Sequence, residues 1–168
     1  MKLFLALFLF FITLSAPAQV LSAVDMIALS QCAKLACYGP LMKDRGFKFV
    51  PDTTVSARDT SENKSYQYVS KLSVDKRKNK NKVVFFVYNH GRFTAVLFTT
   101  KIDKMYRQLL NGFIAQGFAG GQKLYGQFEE KITYRSDYFP NADLLLITSK
   151  DFTGTKVLRY DFLLTTIR

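Results

Sequence analysis

Asp103-Lys-Met-Tyr-Arg-Gln-Leu-Leu-Asn-Gly-Phe-Ile-Ala-Gln-Gly117-Phe118, followed by Tyr125-Gly-Gln-Phe-Glu-Glu-Lys-Ile-Thr-Tyr134, is the stretch from which the architecture is read. Ile102, Tyr106, Leu109, Leu110, Phe113 and Ile114 recur at three- and four-residue spacing. This predicts a helix with one apolar stripe, capped by Asp103 and ended by Gly117 in a left-handed conformation. Phe128, Ile132 and Tyr134 then alternate with Glu129, Lys131 and Thr133, a period of two that predicts a strand with one dry and one wet face. The helix stripe is what covers the dry face.

Working outward, the same order of events occurs twice. The second occurrence continues with the apolar run Leu144 to Thr148 and the alternating run Val157 to Thr165-Thr166. The first runs from Tyr38 to Gly46-Phe47, then Ser65 to Val74, Val83 to Tyr88, and Arg92 to Thr99-Thr100. Short turns such as Asn89-His90-Gly91 imply antiparallel neighbours. The expectation is an α+β fold of two tandem, duplicated helix-plus-antiparallel-sheet units, residues 19–100 and 101–168, with the helices on one sheet face of a single compact domain. Comparable tandem units with a broad sheet occur in a secreted β-lactamase inhibitor and in the TATA-binding saddle. No motif of either is present, so the analogy extends to architecture alone.

Residues 1–18 read as a cleavable secretory signal. Lys2 gives a positive end, Leu3 to Leu14 is apolar, and Ala16 and Ala18 occupy the small-residue positions before a cut at Gln19. Twelve residues are too few for a spanning helix, which needs roughly twenty. The expected location is therefore exported, periplasmic or secreted, with no transmembrane segment in the mature chain. Removing a segment with one lysine and no acid takes the net charge only from +11 to +10.

Ser22 with Asp25 three residues on resembles a capping box ahead of an apolar helix over Met26–Cys37. Cys32 and Cys37 are the two thiols of the chain. On a continuous helix, residues five apart point about 140° away from each other, so a disulfide requires the helix to break, as Gly39-Pro40 suggests nearby. A bridge and a pair of buried small hydrophobes both fit the sequence.

Catalytic chemistry finds little support. His90, the single histidine, falls in a turn. Ser61-Glu62-Asn63-Lys64 spells S-x-x-K, but no K-T-G follows. Glu129 and Glu130 are strand neighbours that point to opposite faces. Gly117, Gly120 and Gly121 read as turn glycines and do not open a phosphate-binding helix. No catalytic residue, metal site or cofactor is therefore assigned. The remaining feature is the connection from Lys71 to Lys82, where Lys71, Lys76, Arg77, Lys78, Lys80 and Lys82 face a single Asp75. It reads either as a solvated tip that blocks edge aggregation or as a contact for an anionic partner. The function expected from sequence is thus an exported, non-enzymatic binding protein. Its partner is an anionic envelope component or an acidic protein, touched through Lys76, Arg77, Lys78, Lys80 and Lys82. Nucleic acid is not expected, because no groove-reading motif is present. The alternatives are a periplasmic inhibitor or immunity protein and, last, a hydrolase.

Overall fold

The computed structural model describes residues 21–32, 34–50, 64–70, 81–88 and 91–168. The predicted signal, the stretch 51–63, His90, and Lys76, Arg77, Lys78 and Lys80 lie outside the described residues. In chain order the elements are α1 (Ala23–Ser30), α2 (Leu35–Asp44), β1 (Phe47–Val50), β2 (Lys64–Ser70), β3 (Lys82–Tyr88) and β4 (Phe93–Thr100). After these come α3 (Asp103–Ala115), β5 (Phe118–Tyr125), β6 (Glu129–Ser136), β7 (Ala142–Lys150) and β8 (Val157–Ile167). The eight strands form one antiparallel sheet in the order β1-β2-β3-β4-β8-β7-β6-β5, so the chain is mixed α+β and mostly sheet.

The period-two pattern of the strands sets the core. Val83 and Phe85 of β3, Val96 and Phe98 of β4, Phe162 and Leu164 of β8, and Leu144 and Leu146 of β7 alternate along their strands into one buried cluster. Met26 and Leu29 of α1, Met42 of α2, and Met105, Leu109 and Phe113 of α3 complete that cluster from above. At roughly 1.5–3 kcal/mol for each fully buried large side chain, this layer is the dominant stabilising contact of the fold.

β4 and β8 lie at the middle, with Leu97 opposite Leu163. On the β3 side, Phe98 faces Val83, Val83 faces Tyr68, and Ser70 at the end of β2 faces Phe47. On the β7 side, Leu164 faces Leu144, Leu144 faces Tyr134, and Ser136 at the end of β6 faces Phe118. The two Gly-Phe landmarks hold the same place in both series, and Gly46 and Gly117 have φ of 75° and 81°, left-handed values that favour glycine at a helix exit.

At α1 the capping box is formed: Ser22 Oγ accepts from the Asp25 amide at 3.1 Å, and the Asp25 carboxylate accepts from the Ser22 amide at 2.9 Å. Asp25 also pairs with Arg45 at 2.8 Å, tying the start of α1 to the end of α2. Burial alone would raise the Asp25 pKa. The Arg45 hydrogen bond and charge and the Ser22 groups more than offset it and hold the carboxyl below its usual value. The stability this contributes is therefore present above the unfolded value and is lost as pH falls through the lowered one.

Several sequence expectations are corrected. The helix over Met26–Cys37 is two helices, broken after Ser30, and Cys32 and Cys37 are joined by a disulfide with Cα atoms 6.1 Å apart. The break is not at Gly39-Pro40. Pro40 lies inside α2, where the chain forgoes one helical hydrogen bond. Asp103 is the first helical residue and not the cap, a position taken by Ile102; its carboxylate accepts instead from Arg107 Nε and Tyr160 OH. Ile114 is exposed, and Met105 is buried in the stripe. Gly120 and Gly121 are not turn residues: they lie in β5 at a register shift, and a Cβ on Gly120 would come within 3.2 Å of the Tyr134 ring.

Candidate functional site

The strand registers gather one end of the sheet. Lys82 opens β3 opposite Thr99, Thr99 faces Asp161, Asp161 faces Ile147, and Ile147 faces Lys131. Lys101 directly follows β4 at this end. The β5–β6 and β7–β8 turns project here as well, joined side by side where the Lys150 amide donates to the Phe128 carbonyl at 2.8 Å. The anchors of the basic connection are also here. Ser70 and Asn81 exchange two hydrogen bonds, Ser70 N to Asn81 O at 3.0 Å and Asn81 N to Ser70 Oγ at 3.1 Å, which draw the two ends of the connection together.

Of the five cations singled out from sequence, Lys82 is placed, exposed at the head of β3. The other four lie outside the described residues. Three cations of β6 and β8 on the uncovered sheet face are paired: Lys131 with Glu129 at 3.0 Å, Arg135 with Asp143 at 3.0 Å, and Arg159 with Asp161 at 2.7 Å. Asp161 also accepts from Thr99 Oγ1 at 2.6 Å. These pairs neutralise the face locally. Lys82, Lys101 and Lys156 at the end of the sheet make no ion pair among the described residues, so unneutralised positive charge collects at that end.

A groove of about 450 Å³ opens at this end between the apolar Phe128 and Leu158 and the charged Lys101, Glu129, Lys150 and Arg159. The Ser149 hydroxyl on its lining is buried without a hydrogen-bond partner among the described residues. Beside it, the β7–β8 turn is closed by Asp151. Its carboxylate accepts from Thr153 Oγ1 at 2.8 Å, from the Thr155 amide at 3.1 Å and from the Lys156 amide at 3.3 Å. The Thr153 hydroxyl, followed by these amides, lowers the Asp151 pKa. Between Asp151 and Thr153, Phe152 points into solvent. Deeper in, Tyr160 donates to Asp103 at 2.9 Å, and burial together with that bond pushes its pKa up to about 12.

Sequence reasoning missed Phe152 and Tyr125. The signal was available: Asp151-Phe-Thr-Gly-Thr-Lys156 is a turn composition between two strands, and an aromatic in such a turn has no core to enter. Among the described residues no group of three or more His, Cys, Asp or Glu could hold a metal ion, and no helix is long and apolar enough to cross a membrane. No family model, curated protein or solved structure matches the chain.

Proposed function

We propose that this chain is an exported binding protein, built from two copies of one helix-plus-sheet unit, that contacts an anionic envelope surface and performs no catalysis. The contact is made by Lys76, Arg77, Lys78, Lys80 and Lys82. The carrying observation is convergence: the anchors of that basic connection lie at the sheet end where Lys82, Lys101 and Lys156 make no ion pair among the described residues. Unpaired cations held at one end of a basic chain create a directed field, in contrast to the neutralised pairs on the open face. The mirrored registers about Leu97 and Leu163 support the tandem reading, and Ala16 and Ala18 before Gln19 support export.

The test replaces the five cations with Ser or Gln in the chain beginning at Gln19. Binding to vesicles containing anionic phospholipid is expected at low salt and falls steeply as salt is added, because exposed charges are screened beyond about 8 Å at physiological ionic strength. The variant is expected to lose at least roughly tenfold in affinity, each basic residue near such a surface contributing about 1 kcal/mol. Equal binding by both proteins at low salt defeats the assignment.

A second reading, a periplasmic inhibitor or immunity protein, is favoured by one observation. Val84, Leu97, Leu163 and Leu145 line up across four strands on the face opposite the helices. Leu163→Arg separates the two readings, since it disables an inhibitor surface and leaves vesicle binding intact.

A further inference from the structure

We infer that the β5–β6 and β7–β8 tips insert aromatic side chains into the headgroup region of an anionic phospholipid bilayer, an inference that rests on the anionic-surface reading and deepens it. Among the described residues, twelve large hydrophobic side chains are exposed. Six of these lie on the two adjoining hairpins: Leu124, Tyr125, Phe128, Phe152, Val157 and Leu158. Isolated exposed hydrophobics are ordinary on any protein; half of them gathered on neighbouring hairpins mark an interaction surface.

The two most exposed of these six are aromatic, Phe152 at 86% and Tyr125 at 72% exposure. Phe152 is displayed on a stiff support. The Asp151 carboxylate holds three donors of its own turn, and the Gly154 amide donates to the Asp151 carbonyl at 2.9 Å, so little ordering entropy remains to be lost on contact. Lys156 lies in the same turn as Phe152, and Lys101 lines the groove together with Phe128. Their long apolar stems can lie along the tip while the ammonium groups reach outward.

The layering selects the partner. A bilayer bearing anionic lipid presents negative charge at its surface and apolar matter a few ångströms beneath, complementary to projecting rings accompanied by the cations Lys156 and Lys101. An acidic protein would meet the charge but offers no yielding layer for rings that project so far.

The chain has no tryptophan, so Phe152→Trp supplies a single fluorescent reporter. On vesicles of phosphatidylglycerol mixed with phosphatidylcholine, its emission is expected to shift to the blue and to be quenched by brominated acyl chains. On pure phosphatidylcholine it is expected to do neither. The double variant Tyr125→Ser, Phe152→Ser is expected to bind the anionic vesicles roughly tenfold more weakly with the same salt dependence, since it removes burial and no charge. Both positions are exposed, and an unchanged circular dichroism spectrum verifies the fold. Unshifted Trp emission on bound vesicles, or undiminished affinity of the double variant, overturns tip insertion and leaves the anionic-surface reading standing. Failure of the unsubstituted chain to bind anionic vesicles at low salt defeats that reading itself, and capture by an acidic protein in its place overturns the choice of lipid.

Discussion

Leu97 of β4 and Leu163 of β8 face each other across the centre of the sheet, half-buried on the side away from the helices, while their neighbours Phe98 and Phe162 lie fully buried on the other. One residue along the chain therefore separates two environments. In this sheet the difference is enforced by pairing on both sides of β4 and β8, so neither strand can slip by one residue without turning its core side chains outward.

This separation makes a direct prediction. Phe162→Ala is expected to cost about 3–5 kcal/mol, the usual consequence of emptying a packed aromatic site. Leu163→Ala next to it is expected to cost roughly 1 kcal/mol, because only part of its surface leaves water on folding. Urea denaturation of the two variants checks the assignment of faces; equal losses would mean that the uncovered face is packed as tightly as the core.

The disulfide carries the second prediction. Cys32 is buried and Cys37 exposed, so Cys37→Ser removes the bond from its wet end without placing a hydroxyl in the core. A loop this short contributes about 2 kcal/mol in the chain-entropy model, and Cys37→Ser and the reduced chain are both expected to lose that amount of unfolding free energy, measured by urea denaturation, relative to the oxidised chain. Unaltered stability on reduction would show that α1 and α2 hold the break between them unaided.

Much of the fold was legible because its information is local. The stripe Ile102, Tyr106, Leu109, Leu110 and Phe113 and the alternation of Tyr160, Phe162 and Leu164 each state their element within a few residues, and Ser22 with Asp25 states a helix start. The edge strands were not legible for physical reasons. β1 is four residues long, and β5 has seven exposed positions and a bulge at Gly120, so neither shows a wet-dry alternation. The break after Ser30 has no Gly or Pro to announce it and is tied in place by the Cys32–Cys37 bond. The basic connection was conspicuous in composition. That its anchors Ser70 and Asn81 share a sheet end with Lys101, Lys156 and the exposed Phe152 depends on which strand ends meet, a property of topology that no local window contains.

The third prediction concerns Tyr38. Its ring is fully buried, stacked on Phe85 at 4.1 Å between centroids, and its hydroxyl donates to the Cys32 carbonyl beside the disulfide. Burial, with smaller contributions from Tyr66 and Tyr68 and against a small opposing effect of Arg168, pushes its pKa up to about 12 from an ordinary 10.0. The neutral phenol is thus favoured in the folded chain. The stability this confers is present in full below the unfolded pKa and is lost as pH rises through the folded one. Tyr38→Phe keeps the ring but leaves the Cys32 carbonyl without its donor, so at pH 7 it is expected to be less stable by about 1–2 kcal/mol. The variant cannot ionise at this position. Between pH 10 and 12 the unsubstituted chain is therefore expected to lose stability faster, and the gap between the two proteins closes, while the other raised tyrosines, common to both, cancel in the difference. Urea denaturation of both proteins at pH 7, 10 and 11 measures the gap. A gap that stays constant over this range would mean that Tyr38 titrates alike folded and unfolded, and that the stacked ring, not the buried hydroxyl, is what fixes α2 to the sheet.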